Sequence, residues 1–434
     1  MLLSEETEPR FFELQKRGFI RGDDGHYLIR LKSSVLDEFF SGDSTPQQAE
    51  PVMDLVMSEL LDDFDGSYEG RLHRLEALKF LHDQDVGTKY EEAFNLFDGQ
   101  AHSCYSDAYP TPSASVHEAA GRGIKTLVAV EHDTFQGIEE RLKAAEIVDK
   151  KVNVIPAIEV SFGDEILGQT VNSHICVLFP NIDYSGRFRV FLKEMDRAML
   201  RIFEDVARVR HESYLRLGNV FNKLNPEYTV SDDEVLKFAR GGFILGSHYG
   251  MALFSKYKGQ EVNGIVLTDT KQGERVFAKG ILSYSNEPAI VASELKEMME
   301  QKRDVLPDLR TVEDFARRYH GVIVLGHPPE FASKPEDAME ITEAIADKYT
   351  IGGIAVYPAK HEQHIPLLVA IAEKINRTSK YHGRLVYTGE SDTHGNVDVP
   401  EKNYGGIKQK MGMNKDHGLR CAEIVAGLKA NCFP

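Results

Sequence analysis

Histidines and carboxylates cluster in two regions of this chain. They stand in Asp98-Gly99-Gln100-Ala101-His102-Ser103-Cys104-Tyr105-Ser106-Asp107, in Glu131-His132-Asp133-Thr134, in Ile158-Glu159 and at His174. They return in Gly326-His327-Pro328 and in Glu390-Ser391-Asp392-Thr393-His394-Gly395. Imidazole nitrogen with carboxylate oxygen is the ligand set of Zn, Mn and Fe, and one glutamate can bridge two ions. Each stretch alone is ordinary, because a single His near a strand end is commonly structural and a single Asp or Glu commonly caps a helix or turn. Six of them at equivalent places are hard to explain as packing, which would favour Val or Ile over buried charge that no cation compensates. The pattern points to a multinuclear metal hydrolase.

The elements that must carry these residues are short apolar strands alternating with amphipathic helices. Strands are predicted over 126–130, 152–158, 174–179, 321–326, 353–357 and 384–388, and helices over 115–122, 335–348, 361–376 and 418–430. This β-then-α order predicts an α/β fold with a parallel sheet or barrel and its functional groups at the strand C-terminal ends. The barrel would occupy 94–183 and 309–434, interrupted by a mostly helical insertion over 184–308 that serves as a lid or substrate subdomain. Within that insertion, 185–224 reads as one or two long charged helices, whose arginines are expected to form a solvated face. Residues 1–93 read as an appended N-terminal mixed α/β module. It has a Gly22-Asp23-Asp24-Gly25 turn between apolar stretches and helices near 51–61 and 69–82.

The order of the motifs resembles the polymerase-and-histidinol-phosphatase (PHP) family, whose pattern opens D-x-H-x-H-S-x-x-S-D, continues with D-H-D-T, G-I-E, H and A-H-P, and closes with S-D-x-H-G. The resemblance covers roughly 97–180 and 310–400. It is closest to the stand-alone branch that hydrolyses phosphate monoesters such as nucleoside 3′,5′-bisphosphates and short RNA ends. It implies a distorted (β/α)7 barrel holding three metals. One ion would be held by Gln100, His102, Glu159 and Asp392, a second by Glu159, His174 and His327, and a third by Asp107, His132 and His394. Asp98, Glu131 and Asp133 would orient the imidazoles from behind. Three departures stand out. Gln100 replaces a family His, Glu131 replaces an Asp, and Gly246-Ser247-His248 lacks the Arg of the related Arg-Pro-His insertion motif, which removes a bidentate phosphate clamp.

The function implied is a metal-dependent phosphoesterase that cleaves a small phosphorylated substrate, nucleotide or short oligonucleotide by metal-activated hydroxide. Two or three divalent ions (Mn, Fe or Zn) would be needed. His248, or His361 at the site mouth, would protonate the leaving alkoxide. The alternative is a non-catalytic or decayed barrel that binds metal or nucleotide or acts as a scaffold. Composition sets the outer limits. The 51 basic residues against 68 acidic ones give a formal charge of −17, which argues against a broad surface for long duplex nucleic acid. No apolar run is long enough to span a bilayer, and the four widely spaced cysteines form no disulfide framework, so a cytoplasmic location is expected. The N-terminal module would serve a protein partner or self-association. No P-loop, Rossmann fingerprint or nucleophile elbow is present.

Overall fold

Runs such as Val322-Ile323-Val324-Leu325 are apolar on both faces, the pattern of strands covered on both sides. The computed structural model describes residues 67–83, 96–108, 110–239, 243–268, 270–282, 305–332, 334–358, 363–378, 385–392 and 420–434. The chain divides into two units, Met1–Lys89 and Tyr90–Pro434. The described part of the first is one helix, α1 (Tyr68–Asp83), with Leu75, Leu78 and Leu81 buried at helical spacing. The expected turn at 22–25 and helix at 51–61 lie outside the described residues.

The second unit is built on β1 (Phe97–Ala101), β2 (Thr126–Ala129), β3 (Asn153–Ile166), β4 (Gln169–Leu178), β7 (Val322–Leu325), β8 (Gly353–Pro358) and β9 (Val386–Glu390), hydrogen-bonded in that order. Helices α2 (Pro112–Gly121) and α3 (Ile138–Ile147) separate the first strands. Helix α9 (Leu309–Arg318) leads into β7, and α10 (Pro335–Lys348) and α11 (Ile365–Thr378) separate the later strands. The outer strands β1 and β9 come together without a ladder. Gly99 lies so close to Gly389 that a Cβ there would sit 2.6 Å from its carbonyl oxygen. Asp98 Oδ1 accepts Ser391 N–H at 2.9 Å, and Oδ2 accepts Ser391 Oγ at 2.6 Å. The result is a nearly closed seven-stranded barrel.

The expected all-parallel order fails at one place. β4 runs antiparallel to both β3 and β7, while the remaining pairs are parallel. The cause is local. Leu167 and Gly168 have φ of 53° and 74°, the two left-handed residues of a two-residue hairpin turn. They extend β3 and β4 into one long ribbon instead of permitting a helical crossover. Because β4 is reversed, its N-terminal half faces the end of the barrel where the parallel strands terminate.

The opposite end is closed by the last helix, α12 (Cys421–Ala430). Its Ile424 and Leu428 join the core formed by Phe97, Val128, Ile155 and Val322. Cys421 Sγ donates to Thr126 Oγ1, and Asn431 Nδ2 donates to Gly352 O, both at strand starts. Between β4 and β7 lie α4 (Ser185–Glu194) and α5 (Arg197–Leu224), then α6 (Asp232–Ala239), α7 (Gly246–Tyr257), the short hairpin β5 (Glu261–Val262) and β6 (Ile265–Val266), and α8 (Thr270–Leu282). These have a core of their own around Phe221, Val235, Ile244, Tyr249, Leu253 and Val276. Asp196 divides α4 from α5 by accepting Ala198 N–H at 2.8 Å. Phe203 of α5 meets Phe315 of α9 edge-on at 4.9 Å and anchors α5 against the barrel. No helix among the described residues is long and apolar enough to cross a membrane.

Candidate metal centre

Glu159 is the focus of the site. It stands in β3, buried, where β2 has just ended, and the chain beyond β2 continues the pairing as an isolated bridge between His132 and Glu159. Its Oε2 lies 3.1 Å from His102 Nε2 and 3.4 Å from His132 Nδ1. Its Oε1 lies 3.1 Å from His327 Nε2 and 3.6 Å from His174 Nδ1. Four imidazoles, from the ends of β1, β2 and β7 and from reversed β4, thus meet one carboxylate. Burial would raise the Glu159 pKa, but His132 and the hydrogen bonds from His102 and His327 outweigh it and hold the carboxyl well below its usual range.

The imidazoles respond in opposite directions. Burial opposes a proton on His132, yet Glu159 and Asp107 raise its pKa to about 9. His327 is likewise raised well above its ordinary value, with Glu390 and Asp392 overcoming burial. Loss of hydration, reinforced by His132, Arg210 and His327, pushes His174 well below its ordinary value.

Strand ends supply the geometry. Asp133, His327 and Asp392 lie two to four residues past strand ends, and all have positive φ (52°, 27° and 49°). These strained conformations turn side chains inward at sites of over-determined structure. Asp107 Oδ2 lies 3.5 Å from His132 Nε2, and its Oδ1 lies 3.8 Å from His102 Nδ1. The His102 and His132 rings stack at 4.7 Å. Two groups have ligand atoms mutually within 4.8 Å: His102, Asp107 and His132, and His132, Glu159 and His174. His132 Nδ1 has no hydrogen-bond partner. Borderline nitrogen and hard oxygen donors with a spare ring nitrogen fit Mn, Fe or Zn at these two groups.

Of the expected ligand sets, the described residues bring His132 to Asp107 and to Glu159, and His174 to Glu159, while His394 and His361 lie outside the described residues. Asp392 reaches the centre, its Oδ1 lying 3.6 Å from His102 Nε2. His248 belongs to neither group. Its Nδ1 accepts Leu245 N–H at 3.0 Å in the first turn of α7, so the structure uses it as a helix cap.

The residues expected behind the imidazoles, Asp98, Glu131 and Asp133, have the following partners. Glu131 Oε2 accepts Ser106 Oγ at 2.6 Å and Ser103 N–H at 3.1 Å, and Oε1 accepts Ser103 Oγ. Ser106 Oγ in turn stands 3.3 Å from His102 Nδ1, so Glu131 reaches the ring through a serine. A fully buried Arg141 pairs with Glu131 at 3.2 Å. Asp98 holds Ser391, the residue before Asp392. Asp133 accepts Ser161 N–H and Oγ, each at 2.7 Å, and pairs with Arg210 Nη1 at 3.2 Å.

Glu390 and Arg210 are the two functional candidates that sequence reasoning missed. Glu390 Oε1 accepts His327 N–H at 2.9 Å and lies 3.0 Å from its Nδ1. Its signal was present, because it ends a strand two residues before Asp392. Arg210 is not on a solvated face. It is buried on α5, seven residues past Phe203 and so on the same side of the helix, with Nη2 donating to Ser161 Oγ and lying 3.3 Å from His174 Nε2. Ser106, His132, Asp133 and Arg210, with Ala207, Phe243 and Leu245, line a small, partly open pocket.

No protein-family model matches the chain. It is similar to the 5′-3′ exoribonuclease of Haemophilus influenzae, 28% identical over 174 residues that cover 39% of this chain and 59% of that relative's length. Among solved structures, an amidohydrolase from Chromobacterium violaceum with bound sulfate and no metal matches at a TM-score of 0.51. The identity is 17%, covering 77% of this chain and 97% of that one. A Bifidobacterium adolescentis protein provisionally described as a metal-dependent phosphoesterase gives a TM-score of 0.49 at 17% identity, covering 78% of this chain and 96% of that one. The likeness to the Chromobacterium violaceum structure concerns the fold alone, the nearly closed seven-stranded barrel.

Proposed function

We propose that this chain is a metal-dependent phosphoesterase of the PHP type that cleaves phosphate esters of a nucleotide or short oligonucleotide. The observation that carries the reading is the convergence of four imidazoles on Glu159 at the site end of the barrel, with the Arg210 guanidinium beside them. The likeness of part of the chain to a 5′-3′ exoribonuclease supports a nucleotide-like substrate.

Divalent ions at the two ligand groups would lower the pKa of water toward neutrality and offset charge on the phosphoryl oxygens. His102, Asp107, His132, Glu159 and His174 would hold them. The Arg210 guanidinium stands at the pocket wall, its direction fixed by Asp133 and Ser161, and its remaining N–H groups would serve a phosphoryl oxygen. Ala207, Phe243 and Leu245 form the apolar side of this pocket and would limit water beside an ester held at its mouth. Arg210 thereby takes the part that the expected Arg-Pro-His motif cannot fill.

The test is phosphate release from a panel of nucleoside 5′-monophosphates, nucleoside 3′,5′-bisphosphates and short 5′-phosphorylated RNA, with Mn²⁺ added to protein purified without chelators. Glu159→Gln and His102→Ala should each lower kcat by at least about 100-fold, as loss of a charge-stabilising group does. Full activity in both variants, or no release from any substrate with metal bound, would overturn the reading.

A further inference from the structure

Gln100 is the strangest member of the centre. Its side chain is fully buried at the end of β1, and its nitrogen is surrounded by nitrogen and oxygen atoms from four other positions. Nε2 lies 2.9 Å from Glu159 Oε2, 3.1 Å from His102 Nε2, 3.3 Å from His327 Nε2 and 3.4 Å from Asp392 Oδ1. Two carboxylate oxygens and two imidazole nitrogens converging on one point are the atom types of a metal-ligand shell. An amide nitrogen sits at its centre.

The orientation of that amide is fixed by its surroundings. Turned over, Oε1 would face two carboxylate oxygens, which only a cation between them would relieve. As placed, the N–H groups face the carboxylates and Oε1 accepts the buried Cys176 thiol at 3.6 Å. The Cys176 thiol is kept protonated by burial and by the nearby carboxylates of Glu159, Glu390 and Asp392. On its other side Oε1 lies against Gly326, where a Cβ would come within 3.1 Å. A transition-metal ion needs nitrogen and oxygen ligands at about 2.0–2.2 Å. The four atoms instead stand 2.9–3.4 Å from a nitrogen that occupies the ion's place. An ion and this amide rotamer cannot share the position.

We propose that the Gln100 carboxamide is a built-in occupant of one metal position, so that the centre holds two divalent ions, in the groups described above, and not three. The amide contributes two N–H donors where an ion would contribute two positive charges, and it keeps His102, Glu159, His327 and Asp392 gathered without metal. The neighbouring thiol is the matching half of this device, because it gives the amide oxygen a donor and sets the nitrogen inward. The proposal rests on the metal-dependent reading above.

The experiment is metal counting on the full chain. Wild type, Gln100→His and the isosteric Gln100→Glu are loaded with Mn²⁺ and desalted. Ions per chain are then measured by elemental analysis, and positions by anomalous scattering from crystals. We expect two ions in wild type and three in each variant, the third within the His102, Glu159, His327 and Asp392 shell. Gln100→Glu keeps the test decisive if imidazole does not fit, since it places a third carboxylate in the shell and demands a cation. Three ions in wild type, or two in wild type and in every folded variant, would overturn the proposal while leaving the phosphoesterase reading in place. No bound ion in wild type, together with no phosphate release, would overturn both.

Discussion

A single oxygen of Glu390 fixes both ends of the His327 attachment: it accepts the backbone N–H at 2.9 Å and stands 3.0 Å from ring Nδ1. The ring is thereby turned so that Nε2 points at Glu159. Such outer partners set ring orientation and ligand basicity, and their loss costs about 10–100-fold in metal affinity. Glu390→Gln keeps the shape and removes the charge. Mn²⁺ affinity measured by calorimetry should fall by about that factor. Affinity equal to wild type would show that His327 is held by other means.

The Arg141–Glu131 pair predicts a stability effect with an internal control. Both side chains are buried, and Glu131 also holds Ser103 and Ser106. Arg141→Met strands the carboxylate, a loss of about 3–5 kcal/mol. The double variant Arg141→Met with Glu131→Gln should recover much of it. Urea unfolding followed by circular dichroism reads the difference. Simple additivity of the two losses would contradict the pairing.

Arg210 predicts a split in kinetic parameters. A charge-assisted hydrogen bond of about 1.5–3 kcal/mol corresponds to roughly 10–100-fold in binding. Arg210→Ala should raise KM for a phosphorylated substrate by that factor, and Arg210→Lys should rescue it only weakly because a point charge cannot fork. Salt-independent wild-type KM in the lysine variant would remove Arg210 from substrate binding.

Gly99 predicts a cost at the barrel closure. A methyl group there meets the Gly389 carbonyl oxygen at 2.6 Å, and backbone cannot give way cheaply. Gly99→Ala should destabilise the second unit by about 1–3 kcal/mol. An unchanged denaturation midpoint would mean that the two strands are not in contact.

What the sequence disclosed follows from the range of the interactions involved. Residue type at a strand end is a local property, so His102, Asp107, His132, Glu159, His174, His327 and Asp392 were legible from short motifs and the structure gathers them. Glu390 stood at a strand end like the others, but its role, like that of Arg210, comes from contacts 63 and 49 residues away, to His327 and Ser161. Arg210 was also masked by its neighbours. Arg208, two residues earlier, is an exposed arginine paired along the helix with Asp205 and Glu212, which is the behaviour the charged pattern predicted for all of them. The reversal of β4 depended on two residues, Leu167 and Gly168, of which only the second is a usual turn former. The role of Gln100 was visible as a substitution, but the enclosing shell that gives the substitution its consequence is purely three-dimensional.

The meeting of β1 and β9 has a mechanical consequence. Every other strand boundary in the barrel is sewn by backbone hydrogen bonds, whereas this one is fastened by Asp98 to Ser391 and by Gln100 to Asp392. The barrel is thus a ring with a clasp, and the clasp is made of the same short segments that carry the site. Loosening it separates His102 from Asp392, and anything that grips both draws the ring shut, so occupancy of the centre and the roundness of the fold are one variable.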